Sequence, residues 1–128
     1  MGLPQIRLIF AIASAYDVLI GLVFLCAGPA LFDWAKIPPP NHWGYIQFAA
    51  LMLIVFGLMF AAVAVDPVSQ RNLIRYGLLL KLCYCGMVGY YWVTDDVPWL
   101  FKPFVVIDAV MYGLFLASYL HLGKQKSD

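Results

Sequence analysis

The stretch GLLLKLCYC, residues 77–85, sets a single lysine among leucines. Its flanks, from residue 73 to residue 93, are mostly apolar too. Lys81 therefore falls near the middle of a segment long enough to cross a bilayer, which takes about 20 residues. An ammonium at that position costs about 2.5–3.5 kcal/mol on insertion scales. It persists only with partners, and finding them decides how the chain packs.

The composition names the medium. Of the 128 residues, 64% are hydrophobic and 12% are charged, and the mean hydropathy is +0.85. A soluble domain carries about 25% charged residues, so half the usual charge is missing. The length suits one domain, residues 1–128. The composition predicts an all-α integral membrane protein. A net charge of +1, with no basic stripe and no stacking motif, argues against a nucleic acid partner.

Four apolar stretches fit the bilayer thickness: residues 5–27, Trp43–Val65, residues 72–93 and residues 100–121. Breakers separate them: Gly28-Pro29, Pro38-Pro39-Pro40-Asn41, Asp66-Pro67 and Asp95-Asp96-Val97-Pro98. The prediction is a four-helix bundle with a short interfacial segment, ALFDWAK (residues 30–36), lying flat in the first loop. Residues 122–128 read as a frayed tail. Ala13-Ser14-Ala15 resembles a signal-peptidase site, but the apolar run from Leu8 to Ala13 is too short for a signal core of about 7–15 residues. The first span is therefore expected to stay uncleaved.

Orientation follows from Lys and Arg near the span ends. Given four crossings, Arg7, Arg71, Arg75, Lys124 and Lys126 share one side, against Lys36 and Lys102 on the other. This predicts both termini in the cytoplasm, in a bacterial inner membrane. Trp43, Trp92 and Trp99 then fall at the outer boundary as an aromatic belt.

Two further charges fall inside spans: Asp17 in the first and Asp108 in the fourth. At 1.5 Å per residue from the cytoplasmic end, Asp17 lies about 18 Å deep, Lys81 about 14 Å and Asp108 about 20 Å. A lysine side chain and one helical turn cover that spread. The three are expected to meet in one polar layer, with Tyr84, Tyr112 and Gln47 around it. Small residues on the inward stripes, among them Gly21 and Gly57, would let the backbones approach. With both carboxyls ionised the layer carries one negative charge in excess, which calls for a proton or a second cation.

Other chemistry finds little support. Cys83 and Cys85, two apart, point to opposite sides of a helix and cannot pair there, so Cys26, Cys83 and Cys85 read as buried small apolar residues. No metal-ligand spacing appears. There is no Gly-x-Ser-x-Gly, and His42 and His121 lie at opposite ends of their spans. An enzyme of lipid or quinone chemistry lacks a nucleophile–base pair, and four short spans enclose a retinal Schiff base on Lys81 poorly.

The order of features resembles uncharacterised bacterial four-span membrane proteins, broadly the DoxX-like group. It runs Tyr16-Asp17 in the first span, Pro38-Pro39-Pro40 before the second and Gln47 within it; Asp66-Pro67 and Arg71 in the second turn; Gly77 and Lys81 in the third span; Asp108 and Phe115 in the fourth. The resemblance implies a four-helix membrane fold and, through that group's links to quinone or thiol redox complexes, an accessory subunit. The chain departs from a thiol-redox role in lacking a usable cysteine pair.

Two functions follow. One is a non-enzymatic accessory or structural subunit of a larger membrane complex of redox or light-harvesting type, in which the Asp–Lys–Asp layer orders the bundle. Nine Phe, eight Tyr and four Trp suit contact with lipid, quinone or pigment, although no cofactor motif is present. The other is an oligomeric small-solute or proton transporter or channel using the same layer. Its partners would be the bilayer and either other subunits or further copies of the chain, with Gly86 and Gly89 permitting close packing between copies.

Overall fold

The computed structural model describes residues 1–127. Four helices follow one another: α1 (Leu3–Ala35), α2 (Trp43–Val65), α3 (Arg71–Thr94) and α4 (Lys102–Ser127), with a 3₁₀ turn, Trp99–Phe101, leading into α4. No strand occurs among the described residues. Three segments are long and apolar enough to cross a membrane: α1, α2 and Trp99–Lys124. α3 is of similar length, but Arg71, Arg75, Lys81 and its tyrosines make it more polar.

Local chemistry explains the element ends. Pro4 opens α1, where its missing N–H is no loss. The imidazole Nδ1 of His42 accepts from the Gly44 N–H at 2.9 Å and caps α2. Asp66 Oδ1 accepts from the Ser69 N–H at 3.2 Å and closes the tight turn into α3. α1 ends on Lys36 at φ 59°, ψ 41°, the Ile37 N–H reaching back to the Phe32 carbonyl at 2.9 Å.

At the Gly28-Pro29 breaker helical geometry is interrupted at Ala27 (φ −130°, ψ 24°), and helix resumes beyond the kink to Ala35. Pro29 removes one hydrogen bond and crowds the carbonyl four residues back, which bends a helix without stopping it. The segment expected as a short interfacial helix is helical beyond that kink and forms the far arm of α1. α4 runs on to Ser127; Asp128 lies outside the described residues.

α1 packs most extensively on α2 and α3 on α4, while α2–α3 and α1–α4 meet over smaller areas. Glycines set the α1–α2 approach: a methyl on Gly21 would meet the Ala50 carbonyl oxygen at 2.7 Å, and one on Gly57 the Ser14 carbonyl oxygen at 3.1 Å. The packed core joins Ile6, Phe10, Phe60, Ile74, Phe115 and Leu122. The Phe10 and Phe115 rings stack at 4.6 Å, with Phe60 5.0 Å from Phe115. The outside is as apolar as the inside: Leu8, Leu19, Leu58, Leu79 and Val110 all lie exposed. A surface of that kind is stable against acyl chains and costly against water.

Candidate functional site

The three charges expected inside spans come together. Lys81 Nζ donates to Asp17 Oδ1 at 3.3 Å and to Asp108 Oδ1 at 3.1 Å. Asp17 and Lys81 are each 1% exposed and Asp108 is 7% exposed. The register produces this meeting. Asp17 follows Phe10 and Ala13 on the inward face of α1; Lys81 follows Ile74 and Gly77 on that of α3; Asp108 precedes Met111 and Phe115 on that of α4. Rings complete the ammonium's surroundings, with Nζ 5.4 Å from the Tyr16 centroid and 5.8 Å from that of Phe60.

Of the residues expected around the layer, Tyr84 lines the same cavity as the three charges, whereas Gln47 and Tyr112 do not. Gln47 is exposed: Ile46, Ala49 and Ala50 present the inward face of that turn, and a side chain one residue past Ile46 rotates off it. The Tyr84 hydroxyl donates to the Phe101 carbonyl at 3.1 Å and ties α3 to the 3₁₀ turn, so its proton does not serve the charges. Tyr112 is half-buried and makes no hydrogen bond to them. Tyr16 occupies the neighbouring place instead; its position beside Asp17 in sequence was the available signal, and Phe60 offered none.

The cysteines also differ from expectation. Cys26 and Cys83 are exposed, and Cys85 is half-buried with its thiol directed at the Val105 carbonyl, 3.5 Å away. Small apolar residues face outward freely when the surroundings are themselves apolar.

The layer divides the interior. On the side of the α2–α3 turn lies the packed core. On the other side is a cavity of about 360 Å³, walled by Phe24, Leu53, Phe56, Phe101 and Phe104 and reaching Asp17, Lys81 and Asp108. α2 and α3 touch near their turn, where Phe60 meets Gly77, and the cavity lies between them beyond that contact. Met52 and Met87, exposed on these two helices, form its rim. The volume falls within the roughly 300–1,000 Å³ of small-molecule sites.

Two buried polar atoms beside the cavity lack partners. Asp17 Oδ2 and the Tyr16 hydroxyl are buried without a hydrogen bond. Asp108 binds Lys81 through Oδ1 alone. Unpaired polar atoms of this kind are rare in a well-packed interior.

The two ends of the molecule differ. Trp34 and Trp99 meet edge to face at 5.5 Å, Trp99 Nε1 donates to the Ala35 carbonyl at 3.0 Å, Trp43 packs on Phe32 at 5.2 Å, and Lys102 lies 5.3 Å from the Trp92 ring. All four tryptophans thus gather at one end. At the other, Arg71 Nε donates to the Tyr119 carbonyl at 3.0 Å, with its guanidinium 3.8 Å above the Tyr119 ring. No protein-family model matches the chain, and no solved structure matches it.

Proposed function

We propose that the chain is a four-crossing integral membrane protein, a helical bundle ordered by Asp17–Lys81–Asp108, that serves as a non-enzymatic accessory subunit of a larger membrane complex. The observation that carries the ordered bundle in this reading is Lys81 bonded at 3.3 and 3.1 Å to carboxylates from two other helices. Helices in lipid gain little from the hydrophobic effect, so polar contacts and close packing must specify their neighbours. One ammonium held by α1 and α4 puts α3 between them. It also makes a third-span crossing tolerable despite its charge, because the folded lysine is paired.

The tryptophans at one end and Arg71, Arg75 and Lys124 at the other favour both termini in the cytoplasm of a bacterial inner membrane. A partner surface is available on α3, where Gly86 and Gly89 have nothing within 4 Å and Leu82, Met87 and Tyr90 are exposed around them. The DoxX-like resemblance favours a redox-type complex as the assembly joined.

Purification in mild detergent, with identification of co-purifying proteins and a flux assay in liposomes, tests the reading. Co-purification with a redox or light-harvesting assembly and no proton or solute flux is expected. Flux abolished by Lys81→Met in a protein that still folds would replace this reading with a transporter.

A further inference from the structure

The cavity above the Asp–Lys–Asp layer is apolar everywhere except at its floor, and the floor carries carboxylate oxygens that no donor reaches. Two of the three Lys81 N–H groups go to one oxygen of each carboxylate. Tyr84 spends its proton on Phe101. Asp17 Oδ2, on a residue 1% exposed, receives none. Asp108 Oδ1 is bonded to Lys81 and no bond reaches Oδ2. With both carboxyls ionised, they and the one ammonium leave one negative charge in excess.

The walls point the same way. Phe24 and Phe101 stack at 6.3 Å at the far end, Phe56 and Phe104 line the sides, and Tyr16 and Tyr84 flank the floor. Aromatic faces attract cations as well as apolar bodies. Met52 and Met87 at the rim are flexible and polarisable, so the mouth can adapt to different shapes. If the chain crosses the bilayer as proposed above, this mouth opens sideways into acyl chains, where a ligand must arrive from the membrane.

We propose that this cavity binds a lipophilic amine, which enters between α2 and α3 and sets its ammonium between Asp17 and Asp108 with its apolar body among Phe24, Phe56, Phe101 and Phe104. Two ammoniums then face two carboxylates, and the floor is neutral. The ligand's N–H groups supply the donors that Asp17 and Asp108 lack. An alcohol of the same shape gives one hydrogen bond and leaves the charge unbalanced. A quaternary ammonium balances the charge but has no N–H to give.

The test uses 1-naphthylmethylamine, protonated at neutral pH, and its neutral isostere 1-naphthylmethanol, titrated calorimetrically into the full chain in mild detergent. Saturable one-to-one binding of the amine is expected, at least about tenfold tighter than that of the alcohol. Asp108→Asn should remove most of that difference. Because this variant can fail to fold, Ala49→Trp is measured beside it: position 49 is exposed on α2 and lines the cavity, so the indole should fill the space and abolish amine binding. Equal affinity for amine and alcohol, or amine binding untouched by Ala49→Trp, overturns the proposal. It is separable from the subunit reading, since amine binding by the wild-type chain is decided whether or not partners co-purify.

Discussion

Phe60 of α2 lies against the bare backbone of Gly77 in α3: a methyl added at Gly77 would stand 2.6 Å from Cε1 of the ring. This contact joins two helices that otherwise meet little, and it separates the packed core from the cavity. Phe60 is fully buried and held by Phe10 and Phe115, so it cannot retreat. Gly77→Ala is therefore expected to destabilise by about 1–3 kcal/mol, the range for overpacking. Gly86→Ala, with nothing within 4 Å, should be neutral or gain up to about 1 kcal/mol of helix propensity. Thermal melts of both variants in detergent measure the contrast; equal melting temperatures would contradict the packing described.

Lys81→Met leaves two carboxylates facing one another without their cation. Removing one member of a buried ionic set costs about 3–5 kcal/mol, because the remaining charge is uncompensated. Replacing the whole set, as Asp17→Asn, Lys81→Met and Asp108→Asn together, removes the uncompensated charge and should recover most of the loss. The double-mutant logic applied to reversible unfolding in mixed micelles reads this directly. Additive losses would mean that the three side chains do not act as a unit.

Arg71 holds the far end of α4 through one hydrogen bond and one ring face. A lysine cannot reproduce the planar stack together with the directed N–H. Arg71→Lys is expected to cost about 1–2 kcal/mol, summing a hydrogen bond to a charged donor and a partly exposed cation–π contact. Hydrogen exchange at the amides of residues 119–123 should quicken while that of α1 stays unchanged. Uniform quickening would show that the contact is not local.

Asp96 lies in the loop before the 3₁₀ turn, exposed, with Oδ1 3.1 Å from Lys102 Nζ. The Lys102 hydrogen bond first, and the Val97 N–H second, hold its carboxyl below the usual carboxylate range. A carboxyl whose folded value is depressed adds stability above its unfolded value of about 3.9, and that stability is lost as pH falls through the lowered folded value. The pair therefore matters only on the acid side, and its exposure keeps its contribution small. An NMR titration of the Asp96 carboxyl should give a midpoint below about 3.9 in the wild type and one moved upward in Lys102→Met. A wild-type midpoint at or above the ordinary value would contradict the pairing.

The meeting of Asp17, Lys81 and Asp108 was legible because an ion in an apolar run has few ways to persist, and only two carboxylates lay at matching depth. The helices were legible from length and breakers; at Gly28-Pro29 the break takes the form of a kink at Ala27 with helix on both sides. Inward and outward faces were harder to read. In water a polar residue marks the outside; here Leu58 and Cys83 face outward beside polar Gln47, so apolarity no longer separates the faces. Tyr84 was assigned to the charges because α3 turns it the same way as Lys81, but the 3₁₀ turn presents a free carbonyl closer by. The cavity had no sequence signature, because it arises from α2 and α3 parting beyond Phe60, a matter of helix angle.

The central claim is that one ammonium is shared by carboxylates from two other helices within the membrane. Solid-state NMR of the chain in lipid, with ¹⁵N at lysine Nζ and ¹³C at aspartate Cγ, measures it most directly. The Lys81 nitrogen should show two close carboxyl carbons, one lost in Asp17→Asn and the other in Asp108→Asn. A Lys81 nitrogen with no carboxyl carbon near it, or with the same single partner in both variants, would contradict the account.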